Sequence, residues 1–174
     1  SLGKLEEAAE CYRKAIKLNP EFVNAHSNLG NILRDLGKLR EAELSTRRAI
    51  KFNPDFAMAH SNLGNILRDL GNFKEAELSY LKAIEIDPNF ADAHSNLGVI
   101  LRDLGKLEKA ELSALKAIEI NPNFADAYSN LGVILGDLGK LKEAKLYTLK
   151  AIKLNPNFAD AHYNLGNILK ELGN

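Results

Sequence analysis

The chain is 174 residues long, 45% hydrophobic and 26% charged, the proportions of a single folded domain rather than a disordered chain. Its 23 basic and 23 acidic residues cancel, which excludes a global field that would draw nucleic acid or an anionic membrane, and neither is expected as a partner. One cysteine, Cys11, excludes an internal disulfide framework and a multi-cysteine metal site, and no apolar run reaches the ~18 residues of a membrane span, so a reducing, cytoplasmic setting is expected.

From the N-terminus, "SLGKLEE" opens without Met and reads as the start of a fragment whose targeting signals lie elsewhere. Residues 1–22 predict one helix ending at Asn19-Pro20. The same ending returns at Asn53-Pro54, Asp87-Pro88, Asn121-Pro122 and Asn155-Pro156, each 34 residues after the last. Self-similarity at this period predicts a solenoid in which each unit buries its apolar face only against its neighbours. The full units are 23–56, 57–90, 91–124 and 125–158, and residues 159–174 supply the first half of another.

Within 57–90, Ala59, Leu63, Ile66, Leu67 and Leu70 recur at helical spacing and predict a first helix. Gly71 and Asn72 end it; Phe73, Ala76, Leu81, Ala83, Ile84 and Ile86 mark a second. Asn89 with Asp92, Asn123 with Asp126 and Asn157 with Asp160 read as N-caps followed by an acidic residue in the first turn. At the C-terminal half unit, Ile168, Leu169 and Leu172 are expected to keep an incompletely covered face.

Leu29, Gly30, Ala42, Ala49 and Pro54, repeated as Leu63, Gly64, Ala76, Ala83 and Pro88 and onward along the whole chain, resemble the signature of the tetratricopeptide repeat. The resemblance implies an all-α, right-handed superhelical solenoid of antiparallel helix pairs. Small residues such as Gly64 and Ala76 are expected where two helices approach closely. The family's early Trp is replaced by His26, His60, His94, Tyr128 and His162, and its later aromatic by Tyr12, Thr46, Tyr80, Ala114 and Thr148.

The resemblance also implies a concave groove lined by the first helices and used to bind an extended segment of another protein. In that register the sixth residue of each unit is Asn28, Asn62, Asn96, Asn130 and Asn164. An amide offers both a donor and an acceptor, so such a row can pair with the backbone of an extended peptide whatever its side chains. The row resembles that of the tetratricopeptide part of O-linked N-acetylglucosamine transferase, without its catalytic domain. Asn31 and Asn65 stand at the ninth position, and Arg34, Arg68 and Arg102 at the twelfth, followed there by Gly136 and Lys170. The five sixth-position asparagines, Asn31, Asn65 and the three arginines form the candidate peptide-binding set, and Asn62 and Asn96 are expected to serve binding far more than folding.

Four alternatives stand beside this reading. Asparagines inherited through repeat duplication or consensus design would bond only their neighbours in the row. The arginines, each followed by an aspartate, would form an internally paired charge row. The half units 1–22 and 159–174 would complete one another between molecules, giving head-to-tail self-association without a dedicated ligand. Finally, the repeats would recruit substrates for a larger glycosyltransferase-like enzyme. A carboxylate clamp for a peptide C-terminus is disfavoured, because Ser27, Ser61 and Ser95 stand where the resemblance requires lysine.

No catalytic residue, cofactor or metal site is expected. The equivalent histidines His26, His60, His94 and His162 are spaced by stacked helix pairs, about 10 Å apart, whereas zinc ligands lie ~2 Å from one ion. Neighbouring Ser and His on a helix point in different directions and do not form a nucleophile–base pair.

Overall fold

The computed structural model describes residues 2–173 and, among them, ten helices and no strands: α1 (Leu2–Leu18), α2 (Val23–Asp35), α3 (Leu39–Phe52), α4 (Ala57–Asp69), α5 (Phe73–Ile86), α6 (Ala91–Asp103), α7 (Leu107–Ile120), α8 (Ala125–Asp137), α9 (Leu141–Leu154) and α10 (Ala159–Leu172). The helices form two compact units, Ser1–Pro88 with α1–α5 and Asn89–Asn174 with α6–α10. In the first unit each helix packs on the next, and the first helices α2 and α4 also touch. In the second unit the succession is the same, with α6 on α8 and α8 on α10. This is the expected all-α solenoid of helix pairs.

Small residues set how closely the helices pack. Ala42, Ala49, Ala76, Ala83, Ala110, Ala117, Ala144 and Ala151 of the second helices are buried to 0% exposure. Facing them, a methyl group added at Gly64 would lie 2.6 Å from Cε1 of Tyr80, and one at Gly98 would lie 3.2 Å from the Ala110 carbonyl oxygen. Thr46 and Thr148 occupy the corresponding space at Gly30 and Gly132. Thus the Gly–Ala pattern permits contacts that any larger residue would push apart.

Two turn types alternate. At the end of α4, Gly71 has φ 77°, its N–H donates to the Arg68 carbonyl at 2.9 Å, and the Asn72 N–H donates to the Leu67 carbonyl at 2.8 Å. A left-handed residue is needed there and glycine supplies it without steric cost. At the Asn-Pro turns, the side-chain oxygen of Asn53 accepts the Asp55 N–H at 3.1 Å, and that of Asn121 accepts the Asn123 N–H at 3.1 Å. These are Asx turns, and proline holds the chain extended just after the helix.

The N-cap expectation is corrected at this point. The cap residues of α6, α8 and α10 are Phe90, Phe124 and Phe158, and none makes a side-chain cap hydrogen bond. Before α8 and α10 the asparagine ahead of the proline, Asn121 or Asn155, organises the turn instead, placing the following phenylalanine at the helix start. One further expectation changes: Ile168 is 5% exposed, and only Leu169 and Leu172 keep open surface, at 44% and 39%.

Candidate functional site

The sixth-position asparagines lie on first helices, and within the two units Asn62, Asn130 and Asn164 reach back to the preceding first helix. Asn62 Nδ2 donates to Ser27 Oγ at 3.0 Å in the first unit. In the second, Asn130 donates to Ser95 at 3.0 Å and Asn164 to Ser129 at 3.3 Å. The accepting serines are buried, Ser27 to 1% and Ser95 to 2% exposure. A hydroxyl so enclosed would lose water without compensation, and the amide supplies the missing partner. The asparagine therefore staples successive first helices.

This finding revises the expected role of Asn62. Its side chain is 7% exposed and its amide donates to Ser27, so it serves folding as well as any ligand. Asn28, at the same register position in the first unit, is exposed, and Asn96, Asn130 and Asn164 are half-buried. A carboxamide has a second N–H and an oxygen beyond the one bond each staple uses.

The ninth-position amide Asn65 accepts the Tyr80 hydroxyl at 2.8 Å. Tyr80 is fully buried, and desolvation pushes its pKa up to about 12, against the opposing fields of Arg68 and Arg34 and with a smaller push from Asp69. The bond lets a phenol sit within a packed core and fixes the orientation of the Asn65 amide. Asn31 has Thr46 in the place of that tyrosine.

The arginines form a paired row within each unit. Arg34 Nε donates to Asp69 of the next repeat at 2.6 Å, with both side chains under a third exposed. Arg68 lies 3.5 Å from Asp69 as well. In the second unit, Arg102 lies 3.2 Å from Asp137 and 3.5 Å from Asp103. The alternative of internal pairing thus describes Arg34, Arg68 and Arg102, although their guanidinium groups retain further donors.

Positions from α8 and α10 come together around one concavity of about 170 Å³ within the second unit. Val133, Gly136 and Asp137 line it from α8, and Asn164, Asn167 and Glu171 from α10. The sixth, ninth and thirteenth positions of the register therefore do share a surface there.

The histidines are structural. His26, His60 and His162 place Nε2 at 2.8, 2.8 and 2.9 Å from the carbonyl oxygens of Pro20, Pro54 and Pro156. A carbonyl only accepts, so Nε2 carries the proton, and each ring latches its first helix to the turn before it. The latch was not read from the sequence, although the constant spacing of His to the Asn-Pro turn was its signal. The serine staple was likewise not read from the sequence. Among the described residues no three His, Cys, Asp or Glu side chains gather as a metal site, and no helix is long and apolar enough to cross a membrane.

A family model described as tetratricopeptide repeat matches residues 23–56, 91–124 and 125–158, and a second of that description matches 46–77 and 147–174. A model described as TPR repeat matches 1–37 and 64–105. No curated protein matches the chain. Among solved structures, MamA is 27% identical with a TM-score of 0.76, covering 90% of this chain and 92% of its own. YrrB, a TPR protein with an unusual peptide-binding site, is 28% identical with a TM-score of 0.74, covering 95% and 86%. TTC0263 of Thermus thermophilus, a thermophilic TPR protein, shares the fold at 22% identity and a TM-score of 0.81, covering 97% and 92%.

Proposed function

Because the chain belongs to the tetratricopeptide repeat family, we propose that it is a non-enzymatic scaffold whose first-helix face binds an extended segment of another protein. The observation that carries this reading is the shared surface of α8 and α10, where amides, two carboxylates and an apolar wall converge around one concavity. The peptide-binding site of the similar structure YrrB supports it. Each staple uses one amide proton to hold the carboxamide in place, leaving its other hydrogen-bonding capacity toward the groove. Pre-orientation of this kind lowers the ordering cost of gripping a peptide backbone.

The test is a screen of unstructured peptides against the intact chain and against the double variant Asn96→Ala, Asn130→Ala, with a thermal melt as the folding control. Two lost hydrogen bonds, each contributing ~0.5–1.5 kcal/mol net, should weaken binding about 5- to 150-fold. Ser95→Ala, which removes the acceptor of the Asn130 staple and leaves the amides, should retain most of the affinity. An intact chain that captures no peptide, or a folded double variant that binds equally well, would overturn the reading.

A second reading, self-association, is favoured by one repeat of chemistry. Gly64 and Asn65 form the socket that Tyr80 fills. Gly166 and Asn167 repeat that pair on α10, where an added methyl group would meet nothing within 4 Å. Tyr12 of α1 stands in the Tyr80 register, so Tyr12 of one molecule fits the α10 socket of another. Such contacts run head to tail. Sedimentation should then show mass rising with concentration, and Tyr12→Ala should suppress it; a strict monomer across the dilution series would exclude this reading. Substrate recruitment for a glycosyltransferase-like enzyme rests on the asparagine-row resemblance alone.

A further inference from the structure

The row of arginine–carboxylate pairs has one step at which the arginine is missing. Arg34 reaches Asp69 in the first unit, and Arg102 reaches Asp137 in the second, each pairing the twelfth residue of one repeat with the thirteenth of the next. The next such pair would be residue 136 with Glu171, but residue 136 is glycine. A methyl group built there meets nothing within 4 Å. In place of the side chain lies the concavity of about 170 Å³, floored by Val133 and Ile168, with Asn164, Asn167 and Glu171 on its α10 side. It is far smaller than the ~300–1,000 Å³ of small-molecule sites and suits a single side chain.

We propose that the hole at Gly136 receives the guanidinium of one arginine presented by a bound peptide, with Glu171 as its counter-ion. The protein's own packing is the precedent, since the equivalent space one repeat earlier holds a guanidinium against Asp137. Asp137 also lines the hole but already pairs with Arg102, so among the described residues Glu171 supplies the negative charge that awaits a partner. Glutamate is one methylene longer than the aspartates in this register and reaches further into the space. Val133 and Ile168 offer apolar surface to the aliphatic stem, and the carboxamide oxygens of Asn164 and Asn167 can accept the N–H groups that a carboxylate leaves over. A planar fork with five donors uses such an arrangement more fully than an ammonium does.

The proposal rests on the peptide-binding reading only for how the arginine is delivered, and the experiment separates the two. First, N-acetyl-arginine amide and N-acetyl-lysine amide are titrated against the intact chain while the amide resonances of Gly132, Gly136 and Asn167 are followed. Arginine amide should give saturable shifts confined to these residues, with lysine amide weaker by about threefold or more. Gly136→Arg, which restores the residue of the other repeats, should fold, melt no lower than the parent and lose the response. Glu171→Gln should weaken it at least about tenfold. Second, a peptide recovered from the screen is compared with its Arg→Ala version. Absence of saturable shifts, or shifts that persist in Gly136→Arg, would overturn the arginine site. Loss of peptide affinity on Arg→Ala with no further loss in Gly136→Arg would support it; peptide binding that ignores both changes would reject it while leaving the groove reading intact.

Discussion

Helix-interior glycines of this chain predict opposite responses to the same substitution. At Gly64, an added methyl group would lie 2.6, 2.8 and 2.8 Å from Cε1, Cδ1 and Cζ of Tyr80. That ring cannot yield easily, because it is fully buried and its hydroxyl is held by Asn65 at 2.8 Å. Overpacking of this kind costs ~1–3 kcal/mol, while replacing glycine by alanine in a helix returns ~0.5–1 kcal/mol. Gly64→Ala should therefore destabilise the chain by about 0.5–2 kcal/mol. At Gly136 the methyl group meets nothing, so Gly136→Ala should stabilise by about 0.5–1 kcal/mol. Urea unfolding followed by helical circular dichroism measures both, and the midpoints should move in opposite directions. Hydrogen exchange should place the Gly64→Ala loss in α4 and α5. Equal stabilisation by both substitutions would show that the α4–α5 spacing is not fixed by the Gly64–Tyr80 contact.

Three other outcomes follow from the same geometry. Asn62→Ala should cost about 1–3 kcal/mol, because the buried Ser27 hydroxyl loses its donor, whereas Asn28→Ala, at an exposed side chain, should change stability by less than ~0.5 kcal/mol; paired urea titrations check this. Burial raises the Tyr80 pKa above the unfolded value of 10.0 to about 12. Its contribution is thus complete below pH 10 and is lost as pH rises toward 12, a fall of roughly 3 kcal/mol that Tyr80→Phe should remove from the alkaline stability profile. His60→Ala should loosen the turn at Pro54, and faster hydrogen exchange at the start of α4 would register it.

Sequence pattern carried the fold because the repeat writes each constraint several times. Gly64 and Ala76 announced a close helix pair through size alone, and Gly71 announced its turn through a conformation few other residues adopt. The cap expected at Asn123 fails because two asparagines flank the same proline, and only backbone geometry shows that Asn121 organises the turn. The amide row was legible as a row of hydrogen-bonding groups, but its first commitment was not. Whether Asn62 faces a ligand or Ser27 depends on the distance between successive first helices, a property of stacking that no single helix pattern contains. The gap at Gly136 lay in the sequence as a broken arginine register, yet its meaning needed the neighbouring helix that leaves the space open.

The central claim is that the groove holds an extended peptide by its backbone, and N-methylation of the peptide tests it most directly. Methylating alternate backbone amides of a bound peptide removes donors while keeping every side chain. The account predicts that affinity falls at least about tenfold, while alanine replacements leave it nearly unchanged except at the arginine. A peptide that binds equally well with its backbone amides methylated would contradict it.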